Sequence, residues 1–541
     1  MGEQQSKNSN NDFDVIVVGA GFGGMYMLHK LREQGFSAKV IEAGDGVGGT
    51  WYWNRYPGAR CDIESLDYQF GFSDEIQRGW SWTERFSAQP EILRYAQWVS
   101  EKLDLLKDIQ FKTRVIQTNF NEQKNNWSIE TDTGETYTGK YCVMATGCLS
   151  MPRAPDFDGL DSFKGNVYFT AQWPHEEVDF SGQTVAVIGT GSSGIQSIPI
   201  FASQADHVTV FQRTPNFSLP AYNKPLEAGA AEAHKDKFMA LRREAREVGV
   251  GFGNAAEAKP AAQYNKEEAA SHLEEVWKVG GLGVLSAFSD MVLSNESNDV
   301  AAEFIRDKIR GMVDDPVIAE KLAPKSYPLG TKRPCVDTGY FDVYNRDNVS
   351  LIDINDDAIE SITATGIKTA GNEYTVDNIV FATGFDAMTG ALLKMDIRGR
   401  DGYTLNQKWE EGARTYLGLS MAGFPNLFTV TGPGSPSVLS NMIVSIEQHV
   451  EWIVDCLKHM RENNIDSIEA DTQAESDWVA HVNQLADLTL FPQANSWYIG
   501  ANIPGKPRVF MPYIGGVGAY AQKCNQVAAD GYDGFKFSEV S

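Results

Sequence analysis

An α/β protein with two similar strand–turn–helix domains and a helical insertion in the second is what the sequence predicts, on three observations. Two glycine-rich turns each follow a short apolar run: Gly19-Ala20-Gly21-Phe22-Gly23-Gly24 after Val15-Ile16-Val17-Val18, and Gly189-Thr190-Gly191-Ser192-Ser193-Gly194 after Val185-Ala186-Val187-Ile188. The third observation is a pair of matching strand endings far apart in the chain, Met144-Ala145-Thr146-Gly147 and Phe381-Ala382-Thr383-Gly384. An unbroken Val/Ile run marks a strand buried on both faces, as in a sheet covered by helices on either side. In each turn the first glycine makes the bend, the second admits a close neighbour to the backbone, and the third lets the following helix pack on its strand. The free N–H groups at the helix start then face an anion, which in this setting is the pyrophosphate of a dinucleotide.

The first unit runs from Asp14 to Ile41, with Met25 to Gln34 as its helix and Ala38-Lys39-Val40-Ile41 as its second strand, ending on Glu42. A carboxylate at that place accepts hydrogen bonds from a ribose diol. In the second unit, from about Gly182 to Pro215, the strand Val208-Thr209-Val210-Phe211 ends in Gln212-Arg213-Thr214. Arg213 stands where the acid would be, and a guanidinium grips a ribose 2′-phosphate that a carboxylate would repel. The two units therefore read as Rossmann-like dinucleotide-binding domains, one for FAD and one for NADP(H).

Residues 48–62 are so rich in Gly, Pro and aromatic residues that they read as a ligand-facing loop without regular structure. The strand Tyr141 to Ala145 is halted by Pro152 and Pro155, which sets a boundary. Between about 220 and 328, apolar residues recur at three- and four-residue spacings (Phe238, Met239 and Leu241; Leu273, Val276 and Trp277; Phe304, Ile305, Ile309 and Met312), so this stretch is a helical insertion that covers a cleft, with Asn298-Asp299 capping its last helix. The strand Ile379 to Ala382 then returns the chain to the first domain. The resulting division is 1–147 and 382–541 for the FAD domain, 148–219 and 329–381 for the NADP domain, and 220–328 for the insertion.

The 541 residues carry 42% hydrophobic and 22% charged side chains, as a soluble globular protein does, and a net charge of −25. That charge repels a nucleic-acid backbone and an anionic membrane leaflet, so neither is an expected partner. No apolar stretch has the length of a membrane span. The polar start, to Asn11, reads as a disordered leader; Gly2 and Ser6 fit a minimal myristoylation pattern, but no polybasic second anchor follows. The six cysteines form no C-x-x-C pair, which argues against a disulfide framework, a metal site and a disulfide reductase, and for a reducing cytoplasm.

Several longer blocks resemble those of the type I flavin-containing Baeyer–Villiger monooxygenases, over nearly the whole chain from Asp14 to about Phe535. These are Gly48-Gly49-Thr50-Trp51-Tyr52-Trp53-Asn54-Arg55-Tyr56-Pro57-Gly58, Arg60-Cys61-Asp62, Gly330-Thr331-Lys332-Arg333, Ala382-Thr383-Gly384-Phe385-Asp386, Gly432-Pro433-Gly434-Ser435-Pro436-Ser437 and Trp497-Tyr498-Ile499-Gly500-Ala501-Asn502. The family's fingerprint F-x-G-x-x-x-H-x-x-x-W-P reads here as Phe163, Gly165, Phe169, Trp173 and Pro174, with Phe169 in the histidine position. A phenyl ring makes none of the imidazole's hydrogen bonds, so a largely uncoupled NADPH oxidase is one alternative. A heteroatom monooxygenase acting on sulfides or amines is another.

The resemblance implies an enzyme that uses FAD, NADPH and O2 to insert one oxygen atom beside the carbonyl of a small-molecule ketone, giving an ester or lactone, with NADP+ retained during turnover. It implies that Arg333 stabilises a C4a-peroxyflavin anion without donating a proton, because arginine stays charged, and that Asp62 holds Arg333 in place. For FAD it implies Gly19, Gly21, Phe22, Gly24, Glu42, Gly49, Thr50, Trp51, Asp62, Tyr68 and Val115. For NADP it implies Arg60, Gly189, Thr190, Gly191, Ser192, Ser193, Gly194, Gln212, Arg213, Lys332 and Trp497. The substrate wall it implies comprises Ile63, Cys148, Leu149, Pro334, Val336, Ser437, Leu439 and Met442, with no metal, in a monomer or weak dimer. The loop 432–442 leans, by analogy, toward open-chain, aryl or bulkier ketones.

Overall fold

The apolar run that opens the chain becomes the strand Asp12–Val18, flanked in parallel by Ala38–Ile41 and Thr136–Met144. A computed structural model describes residues 11–153, 155–227, 229–252 and 258–539, so the leader expected up to Asn11 lies, but for Asn11 itself, outside the described residues. Val15, Ile16 and Val17 are fully buried, with Val15 and Val17 in one apolar cluster and Ile16 in another, as burial on both faces requires. The first sheet has eight strands. Asp396–Arg398, Val115–Asn121, Asn126–Thr131, Thr136–Met144, Asp12–Val18, Ala38–Ile41 and Ile109–Gln110 follow in that order, and Leu427–Thr429 pairs with Thr136–Met144.

The second sheet is parallel throughout, in the order Val349–Asp353, His207–Gln212, Thr184–Ile188, Asn378–Phe381 and Asn166–Phe169. All five of its strands come after residue 144; Ser218–Pro220 with Cys335–Asp337, and Ile359–Ile362, Gly366–Thr369 and Glu373–Thr375, form two small separate sheets, and Asp396–Arg398 is the first strand to rejoin the first sheet. In both units the first glycine of the turn donates to the end of the second strand, Gly19 to Ile41 O at 2.9 Å and Gly189 to Phe211 O at 3.1 Å.

Three local expectations change. The first helix is Phe22–Glu33, beginning directly on Gly21, because the glycine turn itself supplies the extended residue before the first helical one. The 48–62 loop contains one helical turn, Thr50–Trp53, entered through Gly49 at φ 54°. The helix Asn295–Met312 is capped by Ser294, whose hydroxyl accepts the Ser297 N–H, a full turn before Asn298. Asn298 is buried and does something else: its amide donates to Met291 O and Leu329 O, both at 2.9 Å, and accepts from Leu329 N at 2.8 Å. This fastens the chain four residues ahead of Arg333.

The insertion is helical, with Phe238–Glu247, Lys266–Val279 and Asn295–Met312 as its longer helices. Its first part packs on the first sheet's side. Arg246 pairs with fully buried Glu447 at 3.0 Å and with Glu451 at 2.9 Å, both on the helix Met442–Glu462. Buried Arg242 donates to the carbonyls of Asp67 and Gln69. The Asn298-bearing helix packs in the apolar cluster of the second sheet, so the insertion spans both halves.

Candidate active site

A cleft of about 1820 Å³ opens between the two glycine turns and is lined from both sheets. The first turn brings Gly19, Gly21 and Phe22 to its wall, with Glu42, Gly49, Thr50, Trp51, Tyr68 and Val115. Glu42 is buried, and its two oxygens accept the N–H groups of Ala20 and Gly44, each at 2.7 Å. Trp51 donates its indole N–H to the Tyr68 hydroxyl at 3.1 Å, and Phe22 meets the Tyr68 ring edge-on. The second turn brings Gly189, Thr190, Gly191, Ser192 and Ser193, and Arg213, Lys332 and Trp497 line the cleft as well.

Five expected residues are not on the wall. Gly24 and Gly194 lie under their turns: a Cβ on Gly24 would stand 1.8 Å from Gly19 O, and one on Gly194 2.3 Å from Gly189 O, so both positions are fixed by helix–strand packing. Gln212 is buried and donates to Lys321 O at 2.7 Å. Val336 packs with Phe86 and Ala221, and only its N–H matters to the site, donating to Asp62 at 3.2 Å. Ser437 turns its buried hydroxyl to Cys148 Sγ at 3.0 Å, which leaves Pro436, Val438 and Leu439 to face the cleft. Ile63, Cys148, Leu149, Pro334 and Met442 do line it. Arg60 lines it too, but its guanidinium turns away to Glu84 at 2.7 Å and to Phe86 O.

At the centre of the wall, Arg333 donates to Asp62, a carboxylate only 5% exposed. The Asp62 charge, set against the cost of burial, holds the Arg333 guanidinium above its ordinary range, so it stays a cation at any working pH. Burial pushes the neighbouring Cys61 thiol up to about 12, which removes it as a nucleophile near neutrality. At the outer end, burial and then Arg213 hold the Lys332 ammonium below the usual lysine range. Among the described residues no carboxylate lies within 4 Å of Arg213 or Lys332.

Two contributors have no signal in the sequence pattern. Gln196, on the helix of the second turn, accepts from Tyr56 OH at 2.8 Å and donates to Arg60 O at 3.0 Å, tying the 48–62 loop to the second domain. Gly58, at φ +85°, makes this contact possible, since a Cβ there would meet Gln196 O at 2.1 Å. The dipeptide Pro57-Gly58 announces a turn and nothing about its partner. Phe252, from the insertion, also lines the cleft. Phe169 does not; its ring stacks on Phe381 at 5.3 Å.

Residues 13–259 match the family described as pyridine nucleotide-disulphide oxidoreductase. The chain is 42% identical over 533 residues to a "Baeyer-Villiger monooxygenase" of Pseudooceanicola batsensis, covering 98% of this chain and 97% of the relative. Among solved structures it is similar to an oxidized steroid monooxygenase bound to NADP, with TM-score 0.94 and 47% identity, covering 98% of this chain and 100% of that one. It is also similar to OTEMO in complex with FAD and NADP, with TM-score 0.94 and 38% identity, covering 97% and 99%.

Proposed function

The chain belongs to the Baeyer–Villiger monooxygenases, and from that premise we propose how its own residues carry the reaction. It is an FAD- and NADPH-dependent monooxygenase of that type. The cleft fits both dinucleotides: its volume exceeds the roughly 300–1,000 Å³ of a single-ligand pocket. Each end has a glycine turn under a helix start, one beside a buried carboxylate and one beside unneutralised cations.

Gly19, Gly21, Phe22, Glu42, Gly49, Thr50, Trp51, Tyr68 and Val115 would hold FAD, with Gly24 shaping the turn beneath it. Gly189 to Ser193, Arg213, Lys332 and Trp497 would hold NADPH, with Gly194 in the corresponding supporting place. When bound, the flavin accepts hydride from NADPH and activates dioxygen for attack on a ketone.

The observation that carries this reading is the Arg333–Asp62 pair in the cleft wall. Oxygen insertion beside a carbonyl puts negative charge on oxygen at the ketone carbon. A fixed guanidinium stabilises that charge and, having no proton to give near neutrality, leaves the attacking oxygen nucleophilic. Asp62, held by the Val336 N–H, fixes the guanidinium's direction. Arg333 is thus the catalytic residue and Asp62 its positioning partner. The apolar faces of Ile63, Cys148, Leu149, Pro334, Leu439 and Met442 would seat the ketone and exclude water.

We further propose the division 1–147 with 382–541 for FAD, 148–219 with 329–381 for NADP, and 220–328 as insertion, supported by strand membership in the two sheets. A cytoplasmic monomer or weak dimer is the matching setting, supported by six free, buried thiols and a net charge of −25. Incubating the purified flavoprotein with NADPH, O2 and linear, aryl and cyclic ketones should yield esters or lactones by mass. Arg333→Ala should lower their formation by on the order of 10²-fold or more while NADPH still bleaches the flavin. Oxygenated product from that variant at the native rate would remove Arg333 from the mechanism.

A further inference from the structure

Arg153 stands in the stretch that carries the chain from the first sheet to the second, and it lines the cleft. Its main chain is fastened on both sides. The N–H donates to Gly384 O at 3.0 Å, the carbonyl accepts from Thr383 Oγ1 at 3.4 Å, and Pro152 bridges to Phe385. Those partners follow the strand Asn378–Phe381, whose exit at Ala382 touches the second glycine turn: a Cβ on Gly189 would meet Ala382 O at 2.5 Å. The root of the Arg153 side chain is therefore fixed relative to that turn.

The side chain is half-buried, and no carboxylate lies within 4 Å of it among the described residues, in a chain with 25 surplus negative charges. Burial and then the charge of Arg213 hold its guanidinium below the ordinary arginine value; the same two causes act on Lys332. Arg213 is thus felt by two other cations that line the same cleft, and among the described residues none of the three has a carboxylate within 4 Å. Partly desolvated like charges are unfavourable unless a ligand supplies the counter-charge, and a phosphate monoester brings close to two negative charges and several acceptor oxygens.

We propose that Arg153 is a third cation of the 2′-phosphate site, acting with Arg213 and Lys332 to select NADP(H) over NAD(H). This rests on the reading of the second turn as the NADP site. The test is calorimetric titration of the oxidised holoenzyme with NADP+ and with NAD+ at two salt concentrations, with thermal melting to confirm folding. Arg153→Gln should weaken NADP+ by on the order of tenfold, leave NAD+ within about twofold, and flatten the salt dependence of NADP+ binding, while Arg153→Lys keeps most of the native affinity. NADP+ affinity within about twofold of native, or equal losses for both nucleotides, would overturn the proposal, the second by placing Arg153 on a part the two share. Arg213→Gln reports on the underlying reading separately. An unchanged NADP+/NAD+ ratio there sinks the assignment of the second turn, whereas a lowered ratio beside an unaffected Arg153→Gln sinks only the role of Arg153.

Discussion

At the first glycine turn, Gly48 donates to Ala20 O at 3.0 Å, and Gly49 comes so close that a Cβ on it would stand 2.7 Å from Gly21 Cα. At the second, a Cβ on Gly191 would meet nothing within 4 Å. The ends of the second strands differ in the same sense. Glu42 is buried with both oxygens already bonded to backbone N–H groups, while Arg213 lines the cleft with no carboxylate within 4 Å among the described residues. One turn is roofed and its acid is hydrogen-bonded by the backbone; the other is open and its basic residue has no carboxylate within 4 Å among the described residues. The same glycine pattern therefore fixes the bend and not its surroundings, and the surroundings decide what each site demands of its nucleotide.

The largest effect should come from the pair Gly24→Ala and Gly191→Ala. The first forces a Cβ against Gly19 O at 1.8 Å, a backbone atom that cannot swing aside, and should cost about 3 kcal/mol or more with loss of bound flavin. The second meets open space at a helix N-cap with ordinary φ and should cost less than about 1 kcal/mol, while weakening NADP+. Melting temperature and flavin absorbance of the purified variants check both, and equal destabilisation would erase the contrast between the turns.

Next in size is a charge reversal that makes the second strand end resemble the first. Arg213→Glu should lower NADP+ affinity by on the order of 100-fold and narrow or invert the preference over NAD+, since a carboxylate repels the 2′-phosphate and accepts from a free diol. Competitive titration with the two nucleotides measures it. Unchanged preference would detach Arg213 from recognition.

Much of this contrast is legible in the residues. Both turns, both strand ends and the Lys332-Arg333 block stand where the patterns place them, because glycine strings and buried Val/Ile runs are local codes. What the sequence hides is side-chain direction. Nothing in a linear pattern separates Ser437, turned to Cys148, from Val438 and Leu439, turned to the cleft. Asn298 reads as a cap because Asn favours caps, yet burial makes it a clamp on Leu329. Gln196 and Arg153 acquire meaning only from partners far away in the chain.

A smaller effect is expected at Phe169, which borders the second turn through its neighbour Thr170, whose hydroxyl meets Ser193 Oγ at 3.1 Å. The Phe169 ring stacks on Phe381 and offers no hydrogen bond. Phe169→His should raise the amount of oxygenated product per NADPH consumed, by about twofold, by restoring a polar contact beside that turn. Product yield and hydrogen peroxide measured together give the ratio, and an unchanged ratio shows the position to be neutral in this chain.

The smallest effect is a fraction of a proton. Burial and Arg213 hold the Lys332 ammonium below its ordinary pKa, so in the free enzyme its proton is lost earlier in the alkaline range than that of an exposed lysine. A bound 2′-phosphate favours the charged form and raises the pKa again. In the window between the two values, NADP+ binding must take up protons, and affinity must fall as pH rises through it. Calorimetry in two buffers of different ionisation enthalpy should show this uptake for NADP+ and not for NAD+, and Lys332→Arg should abolish it while keeping the preference for NADP+. Proton uptake on NAD+ binding equal to that on NADP+ would place the titrating group elsewhere.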